Sequence, residues 1–477
     1  MTADVAIPLW SFVALAVLAA WAAYDKLLVP ALSWFVAGRA NSVLDEVSTR
    51  LRIGVRPFQR TRRQVLIHRL LGDPKVQAAV EQFAAQHKIP VPVALATVER
   101  HAREIVPAFN AYLYFRIGYW AAKRVAHFLY RVRLGYADSA ALAAVNPQSA
   151  VVFVINHRSN MDYVLVAFLA AERVALSYAV GEWARVWPLQ TLIRAMGAYF
   201  VRRNSGDPLY RTVLQRYVQM ATEAGVPQAV YPEGGLSVDG RLRAPRLGLL
   251  DYMLKTFNPD GARDLVFIPV GVNYDRVLED RTLLLKSDAA RPRHGFIHAV
   301  AVALAFAGRQ LRNMVFGRWY RFGYACVNFG RPISMRDYVR QHGFDFRALD
   351  DAQRHERVAA LGAALMNAIG QITPVLPVAL VATVLLSHPE NAMSELDLKA
   401  AIHALIAKLE HGGAHIYIPR ADHDYAITVG LRMLTLRRVV TERDGLYAVA
   451  RGQLDLLRYY ANSIAHLVER ADGVGPQ

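Results

Sequence analysis

Residues 150–156 read AVVFVIN, a short run of apolar and mostly β-branched residues. A run of this kind is typical of a strand that is buried on both faces of a sheet. Similar runs follow along the chain: ALSYAVG (175–181), AYFVRR (198–203), QAVYPEGG (228–235), LVFIPVGVNY (265–274) and YACVNFG (324–330). Helical stretches separate most of them, which predicts an α/β fold with a mixed or mostly parallel sheet.

The sequence on either side of these strands has a helical pattern. Residues 41–135 carry apolar residues at helical spacing, broken by prolines, and the chain turns helical again beyond Asp337. We therefore predict a membrane-anchoring apolar segment at 1–40, a helical amino-terminal region at 41–147, an α/β domain at 148–337 and a helical carboxy-terminal domain at 338–477.

The composition limits the classes of protein that remain. Of the 477 residues, 54% are hydrophobic and 20% are charged, which excludes an intrinsically disordered chain. Lys and Arg number 56 against 39 Asp and Glu, a formal charge of +17 at pH 7. Such a basic chain favours nucleic acid, an anionic membrane surface or phosphorylated substrates as partners. The single cysteine, Cys326, excludes an internal disulfide and a multi-cysteine metal site.

The amino-terminal residues favour a membrane over nucleic acid. Residues 5–24, VAIPLWSFVALAVLAAWAAY, are uncharged and about as long as a helix that crosses a bilayer. Basic residues follow this run, so the positive-inside rule places the rest of the chain in the cytoplasm. A second apolar piece at 27–38 is too short to span and is interpreted as interfacial. A buried amino-terminal helix packed on the rest of the protein remains an alternative.

Two further apolar runs lie in the second half of the chain. The basic region 281–340 contains IHAVAVALAFAG at 297–308, a combination that suits an anionic bilayer surface, with a solvated basic helix as an equal alternative. The run ITPVLPVALVATVLL at 372–386 is short and contains two prolines, which predicts a buried helix rather than a second span.

The first predicted strand is followed by a candidate acid–base pair. His157 and Asp162 lie five positions apart in HRSNMDY (157–163), where α/β folds usually place their sites. A turn can bring the carboxylate to the imidazole, which fixes the tautomer and leaves the second ring nitrogen as a general base. Taken alone, the pair has an alternative interpretation as a satisfied histidine in a capped loop.

Two later strand ends carry groups that suit a phosphorylated ligand. Arg202 and Arg203 can match phosphate oxygens with their guanidinium forks, and an ion pair at the sheet end is the alternative. Glu233, Gly234 and Gly235 follow the next strand. Such glycines let backbone N–H groups approach an oxyanion or a phosphate, and a plain tight turn is the alternative.

Further cations and a proline follow these glycines. Arg241 and Arg246 lie within a few residues of them and add positive charge near the same loop. Pro269 interrupts the strand at 265–274. Because proline donates no ladder hydrogen bond, we expect an edge strand or a strand end at this position.

Four motifs follow one another along the chain: HRSNMDY, GAYFVRR, YPEGG with GRLRAPRLG, and FIPVGVNYDRVLE. In their order and spacing they resemble the four motifs of the glycerol-3-phosphate acyltransferases. The likeness is to the membrane-bound bacterial branch of the lysophospholipid-type acyltransferase superfamily. The tail RYYANSIAHL at 458–467 is similar to the carboxy-terminal segment of that family. The resemblance implies an acyltransferase domain at 148–337, attached to the bacterial inner membrane and facing the cytoplasm.

The resemblance also implies a role for each motif residue. His157 would be the general base, and Asp162 would orient it. The expected substrate-binding residues are Arg158, Ser159, Arg202, Arg203, Glu233, Gly234, Gly235, Arg241, Arg246 and Pro269. Of these, Arg202 and Arg203 of the second motif are implied to hold glycerol phosphate. The third motif is implied to bind the acceptor, and Pro269 of the fourth motif is implied to lie on the acyl-donor side.

The implied reaction transfers an acyl chain from acyl-CoA or acyl-carrier protein to the sn-1 hydroxyl of glycerol-3-phosphate. The expected partners are these substrates and membrane phospholipids, without nucleic acid, and no metal or cofactor is expected. Leu236 stands where the family usually has an arginine. Dihydroxyacetone phosphate or a lysophospholipid therefore remains an alternative acceptor, and a non-catalytic membrane adaptor remains an alternative function.

Two smaller features receive structural interpretations. His294 and His298 lie four residues apart on an expected helix, but no third ligand is near them in sequence, which does not favour a metal site. Cys326 lies in a strand-like run and is expected to be a small buried hydrophobe.

Overall fold

The computed structural model describes residues 56–170, 175–181, 189–202, 205–287 and 321–473. The predicted membrane helix at 5–24, the apolar pieces at 27–38 and 297–308, and the pair His294 and His298 lie outside these residues. Within the described ranges, no helix combines the length and the apolar composition that are needed to span a bilayer.

A mixed sheet forms the centre of the described structure. The strands are β1 (Arg131–Ala137), β2 (Ala150–Ile155), β3 (Ser177–Gly181), β4 (Tyr199–Val201), β5 (Gln228–Val230), β6 (Leu265–Tyr274), β7 (Tyr324–Phe329), β8 (Ile333–Ser334), β9 (Met393–Ser394), β10 (Val440–Arg443) and β11 (Leu446–Val449). The first eight form one sheet in the order β1–β7–β6–β2–β5–β3–β4, with β8 beside β6. Strands β2 to β6 are parallel, whereas β7 and β8 run antiparallel to β6. The predicted α/β fold with a mixed, mostly parallel sheet is confirmed.

Burial on both faces of this sheet explains the continuous apolar runs. Along β2, Val152 and Val154 point into one apolar cluster, while Phe153 and Ile155 point into the other. The paired strand β6 alternates in the same way between the two clusters. Because successive side chains of a strand point to opposite faces, a strand covered on both sides needs apolar residues at every position.

Helices cover the two faces of the sheet. They are α1 (Pro57–Arg60), α2 (Arg63–Leu71), α3 (Pro74–His87), α4 (Val91–Ile105), α5 (Tyr119–Leu129), α6 (Ser139–Ala143), α7 (Met161–Ala170), α8 (Leu189–Ala195), α9 (Pro208–Glu223), α10 (Gly248–Leu254), α11 (Asp280–Ser287), α12 (Met335–His342), α13 (Asp351–Gln371), α14 (Pro377–Ser387), α15 (Glu395–His411), α16 (His423–Leu436), α17 (Leu454–Ala461) and α18 (Ala465–Ala471). One face packs against α1–α4, α9 and α13, and the other against α7 and the carboxy-terminal helices α14–α17. The buried helix predicted at 372–386 is α14, whose apolar side chains lie in the core. Cys326 is buried in β7, as predicted.

The regions predicted as helical on either side of the sheet also contain strands. β1 lies within the predicted helical region 41–147 and pairs in parallel with β7 at one edge of the central sheet. Only Val132 of this strand is fully buried, so β1 lacks the continuous apolar run that marks a central strand. β9, β10 and β11 form a small antiparallel sheet within the predicted helical domain 338–477. These strands are short and largely exposed, which leaves little apolar signal in the sequence.

The position predicted for Pro269 is wrong. Pro269 lies in the interior of the sheet, where it pairs with Val154 of β2. Its carbonyl accepts a hydrogen bond from the N–H of Gly330 at 2.9 Å, on the side of β7 and β8. The proline nitrogen, which carries no hydrogen, faces the same side. On that side the pairing of β6 with β8 ends at Phe267 and the pairing with β7 begins at Val270, so Pro269 lies in the gap between the two. No ladder hydrogen bond is lost there, so the proline fits a central strand.

Candidate active site

The loop between β2 and α7, residues 156–160, folds around the carboxylate of Asp162. The Oδ2 atom of Asp162 accepts hydrogen bonds from His157 Nδ1 at 2.8 Å, Arg158 N at 2.7 Å and Ser159 N at 3.0 Å. The Oδ1 atom accepts one from the Tyr274 hydroxyl at 2.5 Å. A carboxylate donates nothing, so Nδ1 carries the proton and Nε2 of the neutral ring is left as an acceptor. The structure therefore brings together the predicted acid–base pair, and Asp162 is fully buried.

A second, partly buried carboxylate supports the other side of this loop. Glu279 accepts hydrogen bonds from the Ser159 hydroxyl at 2.7 Å and from the Asn160 backbone and side-chain amides at 3.2 and 3.0 Å. Burial raises the pKa of Glu279. Ser159 is fully buried, and its oxygen also accepts from Met161 N at 3.1 Å. Ser159 thus links Glu279 to the backbone of the loop, and its predicted role in substrate binding stays a prediction.

Arg158 points away from His157 and into the carboxy-terminal region. Its guanidinium donates to the Gly240 carbonyl and lies over the Tyr459 ring, with 5.1 Å to the ring centroid. The residue is buried and does not line the cavity beside His157. The predicted role of Arg158 in substrate binding stays a prediction.

The third motif supports the backbone of the loop. The Oε1 atom of Glu233 accepts a hydrogen bond from His157 N at 2.9 Å. Burial raises the pKa of Glu233 to about 7. The Gly234 N–H donates to the Tyr231 carbonyl at 3.0 Å, so it is used within the turn and not for an oxyanion. Gly234 has φ +68°, and a Cβ there would collide with the side chain of Arg246. Gly235 is buried and does not line the cavity.

A cavity of about 330 Å³ opens beside His157. The rings of Tyr231 and Tyr163 flank the imidazole, with centroid distances of 4.4 and 5.4 Å. One wall is apolar and is lined by residues of β3, β4, α9 and α10: Val180, Val201, Leu214, Leu249 and Leu250. In the described part of the chain, Nε2 of His157 forms no hydrogen bond. A free basic nitrogen at an apolar cavity is suited to accept a proton from a bound hydroxyl.

Three arginines line the same cavity: Arg202, Arg211 and Arg246. Arg202 is the partner of Glu104, with Nε–Oε1 and Nη2–Oε2 distances of 2.8 and 2.5 Å, and it lies over the Tyr210 ring. The sheet-end ion pair considered from the sequence is thus formed, although the residue still faces the cavity. Arg211 was not singled out by the sequence motifs. It lies on α9, one residue after Tyr210, and no motif or strand end marks that position.

Two other predicted residues of the described part of the chain do not line this cavity. Arg241 pairs with Glu469 at 3.1 Å on the surface and is about half exposed. Pro269 is buried in the sheet, and Arg203 lies outside the described residues. Leu236, which replaces the expected arginine, packs against the apolar core. Within the described ranges, no group of three or more His, Cys, Asp or Glu side chains is arranged to hold a metal ion.

Comparison with known proteins shows which families parts of this chain resemble. Residues 139–273 match the family described as Acyltransferase, and residues 311–471 match the Glycerol-3-phosphate acyltransferase C-terminal region. Two separate parts of the chain are thus similar to acyltransferase families. Similar curated proteins are described as glycerol-3-phosphate acyltransferases.

Two of these relatives are glycerol-3-phosphate acyltransferases from Pseudomonas putida and Aeromonas hydrophila. They are each 27% identical to this chain, over 85% and 86% of its length. The matches cover 49% and 52% of the relatives, so the chain spans about half the length of the curated proteins it matches. A solved structure, the 1-acyl-sn-glycerophosphate acyltransferase of Thermotoga maritima, matches with 16% identity and a TM-score of 0.31, over 53% of this chain and 78% of the other.

We predict a pH-dependent gain in stability for Glu233→Gln, which keeps an oxygen that can accept from His157 N. In the folded protein the pKa of Glu233 is about 7, above its usual value of 4.5. Between these two pH values the carboxyl group is therefore protonated in the folded protein but ionised in the unfolded chain. Wild-type stability therefore falls as pH rises through this window, by up to about 3 kcal/mol. The melting temperature of the variant should rise relative to wild type between pH 5 and pH 8. A difference independent of pH would contradict the assignment.

Proposed function

We propose that this protein transfers an acyl chain from a thioester donor to the sn-1 hydroxyl of glycerol-3-phosphate. The products would be 1-acylglycerol-3-phosphate and a free thiol. The observation that carries the proposal is the His157–Asp162 pair, which is hydrogen-bonded at 2.8 Å and opens onto a cavity with an apolar wall and arginines. The sequence relatives add support, because those compared above are described as glycerol-3-phosphate acyltransferases.

The geometry of the pair supports general-base catalysis. Nε2 of His157 takes the proton of the sn-1 hydroxyl while the hydroxyl oxygen attacks the thioester carbonyl carbon. The C–S bond then breaks, and the leaving thiolate recovers the proton from the imidazolium. Asp162 stabilises that imidazolium through the bond to Nδ1, a role that needs no change in its own protonation.

The two kinds of cavity wall support the two substrates. An acceptor with a phosphate needs cations, and Arg246 and Arg211 line the cavity together with the partly neutralised Arg202. An acyl chain needs apolar surface, which Leu214 and Leu249 supply on the same cavity. Burial of apolar chain against such a wall contributes roughly 0.8 kcal/mol per methylene.

His157→Ala should abolish acyl transfer while leaving the protein folded. Purified full-length protein would receive labelled glycerol-3-phosphate and palmitoyl-CoA, with the lipid product identified by mass spectrometry. Loss of a general base costs about 10²- to 10⁴-fold, so we expect at least that fall in kcat. His355→Ala on the exposed surface of α13 is the matched control and should retain wild-type turnover. Undiminished turnover by His157→Ala would refute the mechanism.

The same assay can separate the candidate substrates. Dihydroxyacetone phosphate and lysophosphatidate would be offered as competing acceptors, and palmitoyl-carrier protein as the second donor. A site that hydrogen-bonds a particular hydroxyl discriminates strongly against an analogue that lacks it. Dihydroxyacetone phosphate has a ketone in place of the sn-2 hydroxyl, and in 1-acylglycerol-3-phosphate the sn-1 hydroxyl is esterified. Preference for dihydroxyacetone phosphate or for a lysophospholipid would assign a different acceptor to the same site. Absence of transfer with every pair would favour the non-catalytic adaptor.

We further propose that the protein works at the anionic cytoplasmic face of the bacterial inner membrane. The support comes from the helix α5, which packs on the catalytic helix α7. Its solvent side and the preceding turn expose Ile117, Trp120 and Val125, and Trp120 is 58% exposed. Lys123 and Arg124 lie among them. Exposed apolar side chains interleaved with cations suit an anionic lipid surface, in agreement with the formal charge of +17.

The double variant Trp120→Glu with Val125→Glu tests this surface. Turnover would be measured in mixed micelles of rising phosphatidylglycerol content and compared with phosphatidylcholine micelles. We expect anionic lipid to stimulate the wild type several-fold and the double variant to lose that stimulation. Leu396→Glu, at a 77% exposed leucine of the carboxy-terminal region, is the control and should keep it. Equal stimulation of all three proteins would contradict the assignment of this surface.

A further inference from the structure

The carboxy-terminal motif at 458–467 contacts the acyltransferase domain at several points. The ring of Tyr459 lies under the guanidinium of Arg158, at 5.1 Å. Asn462 donates to the Asp239 carbonyl at 2.8 Å, and Ser463 accepts from Asn273 Nδ2 at 3.2 Å. These residues lie on α17 and the turn that follows it. The motif is thus a contact surface between the carboxy-terminal region and the loops around the catalytic histidine.

The most fully bonded residue of this surface is Tyr460. Its hydroxyl donates to Asp280 Oδ2 at 2.5 Å and accepts from Arg437 Nη1 at 2.8 Å and from Val277 N at 3.2 Å. Arg437 Nη2 also donates to Asp280 Oδ2 at 2.5 Å. The Arg437 and Asp280 side chains are only 9% and 6% exposed. A buried ion pair of this kind is stable only when its remaining hydrogen bonds are made, and the Tyr460 hydroxyl makes two of them.

The residues bound by Tyr460 belong to a segment that also touches the catalytic loop. We call residues 274–280, from the last residue of β6 to the first residue of α11, the support segment. On one side, Tyr274 donates to Asp162 and Glu279 accepts from Ser159 and Asn160. On the other side, Val277 N and Asp280 meet Tyr460. Glu279 and Asp280 are adjacent in the chain, so a shift of one displaces the other.

We propose that Tyr460 is a positioning residue for the candidate active site: its hydroxyl holds the support segment, and the support segment holds the loop that carries His157. The proposal rests on the function proposed above and assigns part of it to the carboxy-terminal region.

Tyr459 differs from Tyr460 in one respect. Its hydroxyl is buried without a hydrogen-bond partner in the described part of the chain, so only its ring contributes to the contact.

This difference provides a matched pair of variants. Tyr460→Phe and Tyr459→Phe each remove one hydroxyl from adjacent buried rings. A misplacement of about 1 Å at a catalytic group can cost 10²-fold, so we expect kcat of Tyr460→Phe to fall about tenfold or more. The KM for glycerol-3-phosphate should stay within about twofold, because the cavity walls are untouched. Tyr459→Phe should match the wild type in both.

A second readout reports on His157 without turnover. The carbethoxylation rate of His157 by diethyl pyrocarbonate, followed by peptide mass spectrometry on full-length protein, depends on how the ring is held and exposed. We expect a change of about threefold or more in Tyr460→Phe and none in Tyr459→Phe. This readout also separates two failures: a wild type without acyl transfer refutes the proposed function, whereas unchanged His157 reactivity in Tyr460→Phe refutes the positioning role.

Three outcomes would overturn the proposal. Tyr460→Phe could melt lower yet keep wild-type kcat and His157 reactivity, which would make Tyr460 a purely structural residue. Both tyrosine variants could lose activity equally, which would indicate general packing. Additive losses in kcat for Asp280→Asn and Tyr460→Phe would show that the two residues act separately. If Tyr460→Phe does not fold, Arg437→Lys replaces it as the test. Lysine keeps the positive charge but can make only one of the two hydrogen bonds that the guanidinium makes to Tyr460 and Asp280, so this variant should lower kcat in the same way.

Discussion

The Asp162 carboxylate is fully buried and accepts four hydrogen bonds, and the geometry of the candidate active site depends on it. A buried charge is costly unless its acceptor capacity is satisfied. Satisfying it here fixes the backbone of Arg158 and Ser159, the tautomer of His157 and the place of the Tyr274 hydroxyl at the end of β6. One constraint therefore joins two adjacent strands of the sheet, β2 and β6, to a single side chain.

Around this centre, the protein divides its polar residues between support and cavity. Glu233 and Glu279 bind the loop from two sides, while Arg246 and Arg211 face the cavity with His157. Few charged side chains therefore line the cavity, and most of the charged residues near the loop hold other protein groups. Such an arrangement holds the loop of His157 from two sides, because Glu233 and Glu279 each accept a hydrogen bond from it.

Much of this architecture follows from residues near one another in the chain. β2 and β6 are continuous apolar runs because both faces of the sheet are covered, and the pair His157 and Asp162 lies within one loop and the first turn of the next helix. The directions of Arg158 and Arg241 could not be predicted, since their partners lie about 80 and 230 residues away at Gly240 and Glu469. The edge strand β1 escaped prediction because Arg131, Arg133 and Gly135 alternate with its apolar residues and leave no continuous apolar run. No motif marks Arg211.

The central claim is that one buried carboxylate holds His157 at a cavity built for a phosphorylated acceptor. An experimental structure of the full-length protein with glycerol-3-phosphate tests it most directly. The account predicts the sn-1 oxygen at about 3 Å from His157 Nε2, within hydrogen-bond reach, and the phosphate against Arg246 or Arg211. A phosphate bound elsewhere on the basic surface, with the cavity beside His157 left empty, would contradict it.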